Sequence, residues 1–261
     1  MISKERHGPW ALIVGGSEGI GEALAIKLGE LGIHVVLVAR KAGPLEETAA
    51  RVRATGAQVR TLSLDISRED APERIREITD GLEIGLLVHN VGGSAGGGPF
   101  VDQALDATLG VVRINCTGLV RMAHHYARRM KDRGSGGILI FGSMAGNVGG
   151  ANLATYSAAK AFSQIFAEAL WAELEPYGVD VLDLVIGSAD TPSRRRSGAR
   201  DSDSFPVARP EDVARQAIDR IGDGPVLVPP GNEEMFQMLN AMPRREAASM
   251  IRGLLTQMKV E

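Results

Sequence analysis

Short runs of Val, Ile, Leu and Ala alternate along the chain with longer stretches in which apolar positions recur every three or four residues. The short runs cover 10–14, 34–39, 59–64, 84–89, 138–141, 179–186 and 225–228. Their nearly continuous apolar character predicts strands covered on both faces. The longer stretches, 20–32, 44–55, 69–80, 105–132, 155–177 and 211–221, predict helices. Regular alternation of this kind predicts βαβ units around one parallel sheet of seven strands, an α/β fold with helices on both faces. No break in composition divides 1–261, which predicts a single domain, and no solenoid-type repeat is present. After the last strand, 232–242 and 243–258 predict two further helices. Their methionines are expected to serve core or subunit packing rather than a ligand. Two segments stand apart: 92–99, with five glycines in eight residues, and 191–210, rich in Ser, Arg, Asp and Pro. Both follow strands at their C-terminal ends, where doubly wound sheets bind ligands.

Composition narrows the picture. The 261 residues are 44% hydrophobic and 23% charged with a net charge of −3, so nothing global points to nucleic acid or an anionic membrane. Glycine is abundant, 32 residues, as many tight strand-to-helix turns would require. Cys116 is the single cysteine, which rules out an intramolecular disulfide and suits a cytoplasmic location. In its apolar helical setting a buried, inert thiol is the expectation. The polar segment 1–9 has no signal-peptide pattern, and no apolar run approaches bilayer length. The five histidines, His7, His34, His89, His124 and His125, form no metal-ligand spacing.

The first chemistry lies where strand 10–14 runs into Gly15-Gly-Ser17-Glu18-Gly19-Ile20-Gly21 and the helix after it. Glycines between a strand and a helix N-terminus permit a tight turn and close approach of a pyrophosphate to backbone N–H groups. The spacing is G-x-x-x-G-x-G, and a purely structural turn is the competing reading. The second strand ends in Ala39-Arg40-Lys41, where an acidic residue would select a ribose 2′-hydroxyl. A guanidinium there favours a 2′-phosphate, so NADP(H) is expected over NAD(H), with Ser17 a possible further donor. Solvated loop charges are the alternative reading of Arg40 and Lys41, and Glu18 argues against a phosphate. Asp65, followed by Ile66, is read with equal weight as a cap on the adenine amino group or as an N-cap of the next helix.

A second constellation begins at Gly142-Ser143-Met144-Ala145-Gly146, directly after strand 138–141, and continues to Tyr156-Ser-Ala-Ala-Lys160. Tyrosine and lysine four apart share one helix face. An ammonium beside a phenol favours the phenolate, so such a tyrosine can exchange a proton near neutral pH. By itself the pair reads more readily as a solvated i,i+4 couple. Ser143, at a strand end, would reach the same reacting oxygen.

These segments, in this order, resemble the short-chain dehydrogenase/reductase family over nearly the whole chain. The family's T-G-x-x-x-G-x-G is matched by Val14-Gly15…Gly19-Ile20-Gly21, with valine in place of threonine. Its N-N-A-G resembles His89-Asn90-Val91-Gly92, its helical asparagine matches Asn115, and the serine of S-S-x-x-G matches Ser143. Its tyrosine and lysine match Tyr156 and Lys160, and P-G-x-x-x-T is present as Ile186-Gly187…Thr191 without the proline. The segments 16–21 and 81–92 look like the branch of 3-ketoacyl-CoA reductases and hydroxysteroid dehydrogenases, which mostly use NADPH and often carry an acidic residue at the place of Glu18. The resemblance implies a Rossmann-type, doubly wound sheet and a cofactor site that includes Asn90, Val91, Gly92, Gly187 and Thr191. It implies ketone–alcohol interconversion with Tyr156 as proton donor, Ser143 orienting the carbonyl, Lys160 serving tyrosine and nicotinamide ribose, and Asn115 holding a proton-relay water. The substrate is expected to be a hydrophobic ketone or alcohol, roofed by 188–210 and walled by 93–100 and 144–153. Arg194-Arg195-Arg196, with Arg200, is read either as an attractor for an anionic substrate or as a solvated lid edge. Helices 105–132 and 155–177 imply a homodimer or homotetramer. A non-catalytic dinucleotide-binding regulator, or dehydratase or epimerase chemistry on this fold, are the alternative functions.

Overall fold

β-branched and leucine-rich runs pair side by side into the sheet that the computed structural model shows; it describes residues 1–93, 98–196 and 206–257. The strands are β1 Trp10–Val14, β2 His34–Ala39, β3 Val59–Ser63, β4 Ile84–His89, β5 Gly136–Ser143, β6 Val179–Ile186, β7 Ser188–Ala189, β8 Val207–Ala208 and β9 Val226–Leu227. Seven of them form one parallel sheet in the order β3-β2-β1-β4-β5-β6-β9, while β7 and β8 pair as a separate small ribbon. The order reverses between β1 and β4, so the crevice at their C-terminal ends is the switch point where such sheets bind ligands. The fold is the Rossmann-type α/β architecture expected from the alternating pattern.

The helices are α1 Lys4–His7, α2 Gly19–Glu30, α3 Ala42–Arg53, α4 Ala71–Thr79, α5 Leu105–Val112, α6 Gly118–Arg133, α7 Ala154–Leu174, α8 Pro192–Arg196, α9 Pro210–Arg220, α10 Glu233–Ala241 and α11 Arg244–Gln257. Alternate strand residues face opposite layers. Leu37, Val88, Leu139, Leu182 and Leu184 pack with Leu24 and Leu28 of α2, Leu45 of α3 and Val213 of α9. On the other face Leu12, Leu87, Ile138, Ile140 and Val181 pack with Ile75 of α4, Met122 and Tyr126 of α6 and Ala167 of α7. Tyr126 carries its hydroxyl into that layer, bonded to Thr79 Oγ1 at 2.5 Å, and burial pushes its pKa up to about 12.

Three expectations are refined. The single helix read over 105–132 is broken by a π-helical turn at Arg113–Thr117, between α5 and α6. Strand β5 extends through Gly136 and Ser143, beyond the apolar run, because Ser143 still pairs in register with Ile186. The C-terminal helices form a methionine-containing satellite core with Val148, Leu239 and Ala247, joined by Met235, Met242 and Met250. Among the expected features, 94–97 of the glycine-rich wall, 197–205 of the lid including Arg200, and residue 258 lie outside the described residues. No helix among the described residues is long and apolar enough to cross a membrane.

Candidate active site

The glycine turn after β1 is built from close approaches that only glycine permits. Gly15 (φ 94°) and Gly19 (φ 59°) take left-handed conformations. A Cβ on Gly21 would lie 2.0 Å from the Gly15 carbonyl and 2.6 Å from Asn90 Nδ2. Asn90, directly after β4, donates from Nδ2 to that same carbonyl at 2.8 Å, so two strand ends brace the turn. The first turn of α2 therefore opens into the cleft with its positive helix end forward, the arrangement that receives a pyrophosphate.

At the end of β2, Arg40 and Lys41 line the cleft beside Ser17 and Glu18. Glu18 does not stand alone there. Arg196 of α8 grips it with both guanidinium nitrogens, NH1 to Oε2 at 3.0 Å and NH2 to Oε1. That hydrogen bonding holds the Glu18 carboxyl below its usual range, with the Arg196, Lys41 and Arg40 charges adding to it against partial burial. The acidic residue that argued against a phosphate is thus an ionised group with its own cation. The N-cap reading of Asp65 is not borne out: its Oδ1 accepts from Ser67 N at 2.9 Å and Ser67 Oγ at 2.8 Å, closing a local turn, whereas α4 begins only at Ala71 after Asp70. It still lines the cleft together with Ile66.

The other end of the cleft is assembled by β5, the π turn and α7. Ser143 ends β5, and its Oγ accepts from Ala145 N at 3.2 Å, which leaves its own O–H to donate. A short 3₁₀ turn follows, Met144–Gly146, and Gly146 sits so close to α7 that a Cβ would lie 2.7 Å from the Lys160 carbonyl carbon. Lys160 is 5% exposed, its Nζ donates to the Phe141 carbonyl at 2.8 Å, and it lies 5.9 Å from the Tyr156 ring centroid. The solvated-pair reading of Tyr156 and Lys160 is overturned by that burial. A lysine taken out of water and tied to the strand two residues before Ser143 is a fixed internal charge.

Asn115 lies in the π turn, buried, with Nδ2 donating to Val111 O at 2.9 Å and Oδ1 without a partner. Such a turn redirects a side chain inside a helix and recurs at functional sites. A Cβ on Gly92 would lie 3.2 Å from Lys160 Nζ and 3.6 Å from Asn115 Oδ1, so glycine leaves lysine and asparagine facing one another. The neighbouring Cys116 thiol is pushed up by burial, consistent with an inert side chain.

At the lid, β6 runs straight through Ile186, where the family motif has proline. Gly187 then meets Asn232, whose Oδ1 would lie 2.4 Å from a Cβ there. Thr191 packs over Gly19 of the glycine turn and accepts from Arg194 N at 3.2 Å through Oγ1. All three lid arginines have partners, with Arg195 and Arg196 still exposed at the surface: Arg194 Nε donates to Ser188 Oγ at 2.7 Å, Arg195 bonds both oxygens of Asp190, and Arg196 bonds Glu18.

These parts enclose one cleft of about 940 Å³. Gly15, Ser17, Glu18, Ile20, Arg40, Asp65, Ile66, Asn90, Val91, Gly92, Ser143, Tyr156, Lys160, Gly187 and Thr191 line it, while Gly19, Gly21 and Asn115 do not themselves line it. Two buried ionisable residues escaped the sequence reading. His89 has neither ring nitrogen paired; burial pushes its imidazole down to about 3, the Lys160 charge adding to this and the Ile114 backbone opposing it. Asp183 on β6 is fully buried with no well-formed hydrogen bond to either carboxyl oxygen. For His89 the signal was its place in the otherwise matched N-N-A-G segment; for Asp183 it was an acid inside an apolar strand.

Known proteins carry the same pattern. Residues 9–202 match the short chain dehydrogenase family. The chain is 35% identical over 225 residues to a very-long-chain 3-oxoacyl-CoA reductase of Neurospora crassa, covering 83% of this chain and 66% of that one, so it spans about two thirds of that relative's length. It is 32% identical to a 7beta-hydroxysteroid dehydrogenase of Clostridium sardiniense, over 94% of this chain and 95% of that one. Among solved structures, one described for 7beta-hydroxysteroid dehydrogenase stereoselectivity superposes with a TM-score of 0.89 at 25% identity, covering 96% and 99% of the two chains. A short-chain dehydrogenase from Sphingobium yanoikuyae in complex with NADPH superposes with a TM-score of 0.79 at 28% identity, covering 97% of each. The family match over most of the chain and a full-length relative above 30% identity lead to one conclusion: the chain belongs to the short-chain dehydrogenase/reductase family of oxidoreductases.

Proposed function

We propose that the protein is an NADP(H)-dependent oxidoreductase that interconverts a ketone and a secondary alcohol, with Tyr156 moving the proton. The observation that carries this reading is the buried Lys160, tied to Phe141 beneath Ser143 and facing Tyr156 across one cleft. A nicotinamide bound in that cleft supplies or accepts the hydride at the substrate carbon. The protein's own part is to hold the substrate oxygen and manage its proton. Tyr156 donates its phenolic proton to the developing alkoxide, and Ser143, whose O–H remains free to donate, orients the same oxygen. Lys160 spends one N–H on Phe141 and keeps two, for the tyrosine side and for ribose hydroxyls. The unpaired Asn115 Oδ1 opposite Lys160 suits a water that returns the proton from solvent.

The glycine cradle around Gly15, Gly19 and Gly21 fits a dinucleotide, since side chains there would fill the space a pyrophosphate needs. Arg40, Lys41 and Ser17 support the 2′-phosphate of NADP(H), and the Arg196 clasp removes the objection raised by Glu18. The NADPH-bound Sphingobium relative is consistent with that preference. The reductase and dehydrogenase names of the relatives support a hydrophobic ketone or alcohol as substrate. Leu105 and Leu109 of α5 and Phe162 and Ile165 of α7 are exposed apolar side chains, which supports assembly as a homo-oligomer through these helices.

The test is NADPH oxidation against a panel of steroid ketones, ketoacyl esters and small cyclic ketones, with NADH as control. Tyr156→Phe should lower kcat by about 10²–10⁴-fold while NADPH binding, read by fluorescence, persists. Full activity in that variant would refute the assignment.

A further inference from the structure

Lys160 is not the only ionisable side chain beneath the cleft. On β6, Val179 and Val181 face the layer of α6 and α7, and strand alternation puts Asp183 on the same face. His89 of β4 pairs in register with Ile140 of β5, and Ile140 pairs with Asp183, so the three form one row across neighbouring strands. Asp183 is 0% exposed, and the Gly142 backbone N–H comes near its carboxyl without a well-formed hydrogen bond to either oxygen. It presses on the backbone of Gly142, where a Cβ would lie 2.4 Å from Oδ1. Gly142 joins Phe141, whose carbonyl holds Lys160, to Ser143. An apolar side chain at 183 would fill this site without the cost of desolvating a carboxyl, so an acid here is expected to act on its surroundings.

The charges around it define what that action is. Burial pushes the Asp183 carboxyl up to about 7, the Lys160 ammonium and the Gly142 backbone N–H oppose this, and Glu168 of α7 adds to it. The inward face of α6 brings the uncharged Met122, Ala123 and Tyr126, and β9 sets Val226 beside Asp183. Asp223, in the turn after α9, is engaged by Arg220, Glu175 after α7 is exposed, and His89 in the same row is neutral above about pH 3. Among the described residues, Lys160 is therefore the cation that acts on Asp183.

We propose that Asp183 is a positioning residue that acts through Lys160: its carboxylate offsets the ammonium and so keeps Tyr156 in the phenol form that donates a proton. This rests on the reading of Tyr156 as proton donor. The consequence is measurable without cofactor or substrate. The chain has three tyrosines, of which Tyr126 ionises only near pH 12, and subtracting the titration of Tyr156→Phe removes Tyr177. Tyrosinate absorbance, wild type minus Tyr156→Phe, then follows Tyr156 alone.

One charge within one or two strand spacings, about 5–10 Å, acting through an effective dielectric of about 20, moves a titration midpoint by about one to two pH units. Asp183→Asn, matched in shape but uncharged, should lower the Tyr156 midpoint by about that amount, measured against the Asp183→Asn/Tyr156→Phe double variant. Asp183→Ser, measured the same way, should do likewise. Coincident curves, or a shift to higher pH, would overturn the proposal. So would failure of both variants to fold, which would assign Asp183 to stability alone. Ketone turnover surviving Tyr156→Phe would instead overturn the proton-donor reading and leave this titration unaffected.

Discussion

His89 offers the sharpest test of how the buried row behaves. Its imidazole falls from an ordinary value of 6.5 to about 3 in the folded protein, through burial first and the Lys160 charge second. Below pH 6.5 the unfolded chain takes a proton on this side chain and the folded chain does not, so stability is lost as pH falls from 6.5 toward 3. Each pH unit in that window costs about 1.4 kcal/mol. Between pH 7 and 4.5 the loss is therefore on the order of 3 kcal/mol, which for a chain of this size is roughly 5–10 °C in Tm. Asp183 contributes with the opposite sign, because its raised carboxyl binds a proton in the folded state first and its penalty grows from about pH 4 to 7. Comparing wild type with His89→Asn keeps Asp183 in both proteins and isolates the histidine. The assay is thermal unfolding of cofactor-free protein at pH 7.0 and 4.5, at fixed protein concentration and ionic strength. The wild type should lose several degrees more than His89→Asn over that interval, whatever the two Tm values are at pH 7. Parallel losses would refute the reasoning and show that the Ile114 backbone beside His89 outweighs the effect of burial.

Two further outcomes are expected. Arg196→Gln leaves the Glu18 carboxylate beside Arg40 and Lys41 without its cation, and should weaken NADPH binding about 2–5-fold relative to NADH, the range of an exposed ion pair. Fluorescence titration of both cofactors at low and high salt checks it, and an equal loss for the two would count against the 2′-phosphate reading. Gly142→Ala drives a methyl into Asp183 and should cost about 1–3 kcal/mol in denaturant unfolding. Adding Asp183→Ser should recover most of it, and a purely additive double variant would show that the two residues do not share the space.

What the sequence made legible follows the physics of each feature. The sheet was readable because its strands are buried on both faces, so each appears as a continuous apolar run regardless of neighbours. The glycine turn was readable because backbone collisions at Gly15 and Gly21 admit no side chain, a constraint local in sequence. The π turn at Asn115 was not, since residues 105–132 keep helical periodicity throughout and one extra residue within a turn leaves no local mark. The Arg196–Glu18 clasp joins residues 178 apart in the chain, so nothing local in the run of three arginines could point to that partner. The row of His89, Ile140 and Asp183 is less visible still. Each polar member sits at the ladder position where an apolar residue would belong, and only strand register puts the two in one row, with the Lys160 charge acting on both. A conflict between residue type and local environment is the mark of a site rather than of a core. That is the reason to regard this row as part of the chemistry: a purely structural sheet would have no use for two ionisable groups beside a buried ammonium.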